Sequence, residues 1–353
     1  MSSELNTAPV WVLLGAKHGD NQQLLAIAEA MNQPYRVVPL RFNRAARFPP
    51  LLLGTGRLSW HTECALQPPW PQAVLAAGRK SVPAARWIRK QSEGRTRLIH
   101  INRPWAPLAW FDLIVTTPQY AVPRRANVLT NLMPFVLPTQ DDASETSLAD
   151  RAASMPRPWT VVLVGGNSRP YVLDEASARL LAQTVNEQVH AAGGSAWILG
   201  GPRTKDSAMT IIEANLCAPA HVSRWGQGEN LYRTLLREAD RFIVTADSAS
   251  MLTEALLSGH TVTPFTLPAQ PHWKWRLAAA WRAAAERKPA SVVARIYEWT
   301  VDVGLLSTVR DIGHLQRALT DAGMFGADGR PQEVAALERH ATLARITQTI
   351  ASG

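Results

Sequence analysis

Cysteine is almost missing from this chain: Cys64 and Cys217 are the only two in 353 residues. Neither falls in a Cys-x-x-Cys pattern, which excludes a disulfide scaffold and a thiolate zinc site of the usual spacing. Paired histidines are missing too. The nine His are scattered, with no His-Glu-x-x-His, so the metal centres that need such pairs are excluded. No Asp-x-Asp occurs, and the adjacent pair Asp141-Asp142 lies in a segment that reads as a linker; a divalent cation bridging a diphosphate through that motif is not expected. Neither Gly-x-Gly-x-x-Gly nor a Walker loop is present, which argues against a redox dinucleotide or ATP hydrolysis. No apolar run approaches the ~18–20 residues that span a bilayer. Met1–Pro9 has neither the basic region nor the long apolar region of a secretory signal. The sequence therefore predicts a cytoplasmic chain.

Length and charge say what is there. A chain of 353 residues is long for one core, and two domains of roughly 100–200 residues are expected. The formal net charge is +9, and it is unevenly placed. Residues 1–140 hold 16 of the 37 Lys and Arg but only 6 of the 28 Asp and Glu. A basic first part raises the local concentration of anionic partners: nucleic acid, anionic lipid or phosphorylated glycolipid. No nucleic-acid-binding module is recognisable, so nucleic acid is not expected as a partner.

Short apolar runs alternate with helical stretches, which means βαβ units and parallel sheets, an α/β fold. Strands are expected at Val10–Leu14, Tyr35–Leu40, Ala73–Gly78, Arg97–Ile101, Leu113–Thr117 and Asn127–Leu132, with helices at Asn21–Met31 and Val82–Gln91. Residues 138–158, rich in Pro, Ser and acids, break the rhythm as a linker. It restarts with a strand at Trp159–Val164 and a long helix over Asp174–Ala192. A strand at Ala196–Leu199, a helix near Ser207–Asn215, a short strand around Val222 and a helix over Asn230–Glu238 follow. Phe242–Thr245 is then a strand running into a helix that Gly259 ends, and Thr261–Phe265 closes the sheet. Residues 272–353 read mostly as helix, with turns at Gly304, Gly313 and Gly326. The division this suggests is a basic N-terminal domain over 1–137, the linker, a second domain over 159–330 and a terminal helix over 331–353.

Ligands of open α/β sheets bind beyond the carboxyl ends of the strands, so the turns there are the candidates. The most informative is Ala246-Asp247-Ser248-Ala249-Ser250-Met251-Leu252-Thr253-Glu254-Ala255. A strand runs into a hydroxyl-rich helix start, whose unpaired N–H groups attract anions such as diphosphates. Glu254, one turn further in, is placed to hold ribose hydroxyls. Gly165-Gly166-Asn167-Ser168-Arg169 offers backbone amides to a phosphate or sugar hydroxyl. In Gly200-Gly201-Pro202-Arg203-Thr204-Lys205, Arg203 and Lys205 can pair with a diphosphate. In the basic half, Gly15-Ala16-Lys17-His18-Gly19-Asp20-Asn21 combines an anion partner, Lys17, with two candidate bases, His18 and Asp20. Gly78-Arg79-Lys80-Ser81 suits an anionic acceptor through Arg79 and Ser81. Each turn also has a plain reading as a capped helix start or a solvated loop. Trp273 and Trp275, beside His272 and Lys274, read as core packing or as an interfacial patch.

Ser248–Glu254 followed by Gly259 resembles Ser-Gly-Ala-Leu-Thr-Val-Ser-Glu and its later Gly in the bacterial transferase that adds GlcNAc to the lipid-linked peptidoglycan precursor. The resemblance implies diphosphate at Ser248–Met251 and ribose on Glu254. More of the chain resembles the bacterial relatives of the plant "elongated mitochondria" fission protein. The matching stretches are Ala77–Ala84, Thr96–Pro104, Phe111–Val115, Val164–Ser168 and Val244–Ala255, in the family's order. That family is regarded as glycosyltransferases of the GT-B class, of lipooligosaccharide or lipopolysaccharide core type. The resemblance implies two facing Rossmann-like domains with a helical C-terminal region. It implies a nucleotide-sugar donor as substrate and an anionic lipid-linked acceptor at the inner face of the cytoplasmic membrane, which the chain would touch peripherally; with the metal motifs missing, the expectation is an inverting transfer with no metal and no cofactor. Relatives often carry His-Asp where this chain has Gln119-Tyr120, which moves the expected base to His18 or Asp20. The rival readings are a non-catalytic GT-B-like protein that binds membranes or partners, and a sugar-nucleotide epimerase.

Overall fold

The Val, Ile, Leu and Ala runs that read as strands form two separate parallel sheets, each in its own unit. The computed structural model describes residues 9–137, 154–168, 170–306, 310–326 and 328–352. Unit 1 comprises Met1–Leu137, Lys274–Arg310 and Ala336–Gly353; unit 2 comprises Pro138–Trp273 and Asp311–Ala335.

The unit 1 sheet is built from β1 (Val10–Leu14), β2 (Tyr35–Pro39), β5 (Ala73–Ala77), β6 (Arg97–Ile101), β7 (Leu113–Thr116) and β8 (Val128–Thr130), in the order β2-β1-β5-β6-β7-β8. All neighbours are parallel, with Val10 opposite both Tyr35 and Ala73. A parallel sheet is covered on both faces, so its strands read as near-continuous apolar runs. Along β1, Trp11 and Leu13 enter one buried cluster, with Val82 and Ile88 of α3 (Val82–Gln91). Val10 and Val12 enter the other, with Leu24 and Ile27 of α1 (His18–Ala30). Each such burial stabilises the unit by roughly 1.5–3 kcal/mol.

Unit 2 orders β9 (Trp159–Val164), β10 (Ser195–Gly200), β11 (Ala220–Ser223), β12 (Arg241–Thr245) and β13 (Thr261–Phe265) as β11-β10-β9-β12-β13, again all parallel. Val162, Ile198 and Ile243 of the sheet pack with Leu181 and Val185 of α4 (Glu175–Ala192) and Met209 and Ile212 of α5 (Asp206–Ala214). Helices α6 (Tyr232–Glu238) and α7 (Ala249–Leu257) flank β12. In each sheet the strand order reverses at one place, between β1 and β5 and between β9 and β12. A crevice opens at such a reversal beyond the strand ends.

The structure departs from the sequence reading in four respects. Between β2 and β5 the chain makes an excursion: β3 (Arg41–Phe42) pairs antiparallel with β4 (Trp60–His61), with α2 (Pro50–Leu53) between them. The first helix begins at His18 rather than Asn21, and the Asn21 side chain, inside it, ties itself to Gly15. Gly313 lies inside α10 (Ile312–Asp321) rather than in a turn. Finally, the segment Lys274–Arg310, with most of α8 (Trp273–Arg287) and all of α9 (Val292–Asp302), clusters with unit 1, as does the end of α11 (Arg330–Ala351). Periodicity shows a helix but not which sheet it covers. Of the expected linker, residues 138–153 lie outside the described residues.

Candidate functional site

In unit 1 the reversal point gathers the ends of β1, β5, β6 and β7 around Asp20. Its carboxylate lies in the first turn of α1, 17% exposed. Asn102, just past β6, donates to Asp20 Oδ1 at 3.2 Å, and Lys17 Nζ stands 3.9 Å from Oδ2. Gly78 ends β5 at φ +72, and a Cβ there would lie 3.4 Å from Asp20 Oδ2. Asn102 itself sits at φ +66, a region that costs most residues energy but that Asn tolerates. His100 lies below both turns, fully buried, with Nδ1 3.1 Å from Asn102 O and Nε2 3.4 Å from Gly78 O; as a neutral ring it donates to one of these carbonyls and packs against the other. Burial pulls its pKa down to about 4, against a smaller opposing pull from those carbonyls. Tyr120, half-buried after β7, completes the edge. Burial pushes its phenol up to about 12; Arg310 donates to that oxygen and lowers it, while the nearby charge of Asp20 raises it.

The other residues expected here are placed differently. His18 is exposed at the first helical position, and Lys17 is exposed as the N-cap. Arg79 is half-buried, its guanidinium 3.5 Å from Ala46 O. Ser81 is buried with its hydroxyl on Ala77 O and Gly78 O at 2.8 and 2.9 Å. It holds the turn in place and does not present its hydroxyl to an acceptor.

In unit 2 the reversal point is closed by Asp247. This carboxylate is fully buried. Oδ1 accepts from Thr245 Oγ1 at 2.8 Å; Oδ2 accepts from Gly166 N at 3.1 Å and from Arg203 Nη2 at 2.9 Å. Gly165 N donates to Thr245 Oγ1 at 2.7 Å. The two glycines are dictated by this closeness: a Cβ on Gly165 would stand 2.0 Å from Asp247 Oδ1, and one on Gly166 2.0 Å from Arg203 O. Asn167 Oδ1 accepts from Leu173 N, and Ser168 N donates to Tyr171 O, each at 3.0 Å. The amides of Gly165, Gly166 and Ser168, expected to cradle a ligand, are thus engaged within the protein. Asp247 is likewise a brace, its buried oxygens taken up by Thr245, Gly166 and Arg203. Arg169 lies outside the described residues.

What unit 2 does present is the start of α7. Ser248 is its N-cap without a side-chain cap bond, and Leu252 N is the first amide to reach back, to Ser248 O. Ser248, Ser250 and Met251 are half-buried, and Met251 Sδ lies 3.9 Å from a Cβ position on Gly201. Glu254, half-buried in the next turn, accepts from the Tyr232 hydroxyl at 2.6 Å. Burial raises the Glu254 pKa, and the Tyr232 bond and the Arg233 charge partly offset this. The Tyr232 phenol is raised well above its ordinary value, first by burial and then by Glu254. Tyr232 and Arg310 were missed in the sequence because no quoted motif contains them, and Tyr120 was quoted only as a departure from the relatives. Thr96–Pro104, quoted above for its resemblance, did contain Asn102. No group of three His, Cys, Asp or Glu suited to a metal occurs among the described residues, and no described helix is long and apolar enough to cross a membrane.

Known proteins share this architecture. A UDP-glucosyltransferase from Polygonum tinctorium superposes over 98% of this chain and 100% of its own, at TM-score 0.50 and 8% identity. At that identity the likeness shows the fold, two Rossmann-like units of the GT-B class. In sequence, an uncharacterized protein of Rickettsia prowazekii is 24% identical over 296 residues, covering 73% of this chain and 83% of its own. The mitochondrial fission protein ELM1 of Arabidopsis thaliana is 28% identical over 245 residues, 62% of this chain and 56% of its own, so this chain spans little more than half of that relative. The family profile described as Mitochondrial fission ELM1 matches residues 18–301, and the chain belongs to that family.

Proposed function

We propose that this protein is a glycosyltransferase that moves a sugar from a nucleotide diphosphate donor to an acceptor hydroxyl. The observation that carries this reading is Glu254. It is a half-buried carboxylate, oriented by Tyr232, one turn inside a helix whose first amides open at the reversal point of unit 2. A paired carboxylate so placed binds two adjacent ribose hydroxyls, while the helix start carries the diphosphate. Ser248, Ser250 and Met251 line that start, and Arg203, 39% exposed beside its ion pair with Asp247, stands next to it.

In this reading Asp20, not His18, is the base. Asp20 is held in place by Asn102, whereas His18 stands exposed. The acceptor O–H gives its proton to Asp20, and the oxygen forms a bond to the anomeric carbon. The bond from that carbon to the diphosphate oxygen breaks, and its electron pair leaves with the diphosphate. One displacement inverts the anomeric centre. Charge developing on the leaving group is met by the amides at the start of α7, so the reading requires neither metal nor cofactor. Lys17 and Arg79 suit an anionic acceptor, such as a lipid-linked glycan of the lipopolysaccharide core type.

A thermal-shift panel of nucleotides and nucleotide sugars tests the donor site without knowledge of the acceptor, because a ligand that binds only the folded state raises Tm. One or more nucleotide sugars are expected to raise it, and Glu254→Ala to remove the rise while Asp20→Asn keeps it. A panel with no stabilising member, or an unchanged rise in Glu254→Ala, overturns the reading.

A further inference from the structure

The excursion between β2 and β5 has a composition unlike the rest of the chain. No acidic residue occurs between Glu29 and Glu63, yet Arg36, Arg41, Arg44, Arg47 and Arg57 all fall there. Large apolar side chains on it face solvent: Phe48 is 46% exposed, Leu51 38%, Leu52 76% and Leu58 70%. Arg44, Arg47 and Arg57 are exposed among them.

This is not a loose loop. Asn43 accepts from Ala45 N at 2.8 Å and donates to Leu58 O at 2.7 Å, closing the base. Trp60 is buried and donates to Gly56 O at 3.0 Å. Arg57 lies over the rings of Trp60 and Trp87, at 4.9 and 5.2 Å. The excursion buries Ala46, Pro50 and Trp60 as a root and holds its leucines and Phe48 outward. Burial of apolar area drives folding, so a tied-down segment that keeps Phe48 and three leucines in water marks a surface completed by something else.

The charge says what. On α9 the exposed Val292, Ile296 and Trp299 have Glu298 and Asp302 as neighbours, a mixed surface. On the excursion the charge is of one sign, and the first acid beyond it, Glu63, is paired with Arg41 at 2.8 Å. Apolar side chains interleaved with arginines match a surface that is apolar below and uniformly anionic above: a bilayer with anionic headgroups. Guanidinium groups pair bidentately with lipid phosphates.

We infer that residues 44–58 form a tip that docks on anionic phospholipid membrane. Phe48, Leu51, Leu52 and Leu58 enter the boundary between headgroups and acyl chains, and Arg44, Arg47 and Arg57 pair with phosphates. The root reaches the edge that carries Asp20. Arg79 donates to Ala46 O, Lys80 lies 5.7 Å from the Phe42 ring centre, and the Phe42 ring approaches a Cβ position on Gly15 at 3.6 Å. Docking thus brings the Asp20 edge to the membrane surface, where a lipid-linked acceptor presents its hydroxyl; that last identification rests on the transfer reading above.

The test is flotation of the full chain with vesicles of phosphatidylcholine alone or mixed with phosphatidylglycerol. Wild type floats with the mixed vesicles and much less with the neutral ones. Leu52→Ser with Leu58→Ser, both at exposed positions, lowers binding ~tenfold or more, and Arg44→Gln with Arg47→Gln removes the preference for anionic lipid. Val292→Ser with Ile296→Ser binds as wild type does. Failure of wild type to float, or tip variants that bind as wild type does, overturns the proposal. So does self-association in the absence of lipid that the serine variants relieve, which would assign the tip to a second copy of this chain. Nucleotide-sugar thermal shifts run on the same variants separate the two readings. Flotation without any nucleotide response keeps the tip and overturns transfer, and the converse keeps the donor site and overturns the tip.

Discussion

Asp20 and Asp247 occupy equivalent places, each beyond the strand ends where the order of its sheet reverses, yet their surroundings are opposite. Asp247 is sealed from water and saturated by Thr245, Gly166 and Arg203. Asp20 is 17% exposed, with one 3.2 Å bond from Asn102 and a loose pairing with Lys17. A buried carboxylate with its donors filled fixes a turn; a partly open one keeps lone pairs for a substrate. In unit 2 the open carboxylate is instead Glu254, on the helix behind the turn. Topology sets where the crevice lies, and hydrogen-bond accounting decides which acid serves it.

The sharpest way to break this comparison is at the glycines. Gly165→Ala drives a methyl group to 2.0 Å from Asp247 Oδ1 and should destabilise unit 2 by more than ~3 kcal/mol in chemical denaturation. Gly78→Ala meets Asp20 only at 3.4 Å, and its cost should be the ~1–3 kcal/mol of placing a Cβ at φ +72, ψ +156, a region essentially reserved for glycine. Equal costs would show that the two turns are braced alike.

Exchanging the acids comes next. Asp247→Ala removes the acceptor of three buried or half-buried donors and should cost about 3 kcal/mol of stability. Asp20→Asn should leave the denaturation midpoint within ~0.5 kcal/mol of wild type while lowering kcat by ~100-fold or more. A stable Asp20→Asn variant that transfers sugar at the wild-type rate would remove Asp20 from the proposed chemistry.

The braces themselves titrate differently. His100, with its pKa at about 4 against 6.5 when free, stays neutral in the fold while the unfolded chain takes up a proton. Stability of unit 1 is therefore full above pH 6.5 and declines as pH falls toward 4, by at most about 3 kcal/mol. Thr245 in unit 2 has no such dependence. Urea titrations across that window should show the decline, and His100→Gln should flatten it.

The smallest effect concerns Glu254, whose pKa burial raises. A carboxyl raised in the fold subtracts stability once ionised, so Glu254→Gln should raise Tm by roughly 1–3 °C at neutral pH. The gain should vanish as pH falls toward 4.5, the ordinary value. A variant that becomes more stable and binds nucleotide sugar less fits a functional acid; a loss of Tm would make Glu254 structural.

Much of the architecture was legible because parallel strands announce themselves as unbroken apolar runs. Val10–Leu14, Ala73–Ala77, Trp159–Val164 and Arg241–Thr245 carry few polar side chains to confuse the pattern. The excursion at 41–61 was not, since its two strands are two residues each, too short for any period. Of the site, the acids Asp20 and Glu254 stood out by type and position. Their partners Asn102 and Tyr232 did not, being 82 and 22 residues away in sequence. The Gly-Gly turn was found but misread: the sequence shows that amides are bare of side chains, not that Thr245 and Asp247 have already claimed them.

The return of the chain to unit 1 has a consequence for synthesis. Ile346 is fully buried with Val10, Leu24 and Leu75, and Asn131 donates to Thr342 at 2.8 Å. The first unit to leave the ribosome thus finishes its core last, after every residue of the second has emerged. A nascent chain must hold an unfinished apolar face through some two hundred residues of translation, which makes unit 1 the natural client of chaperones and the part most sensitive to premature termination.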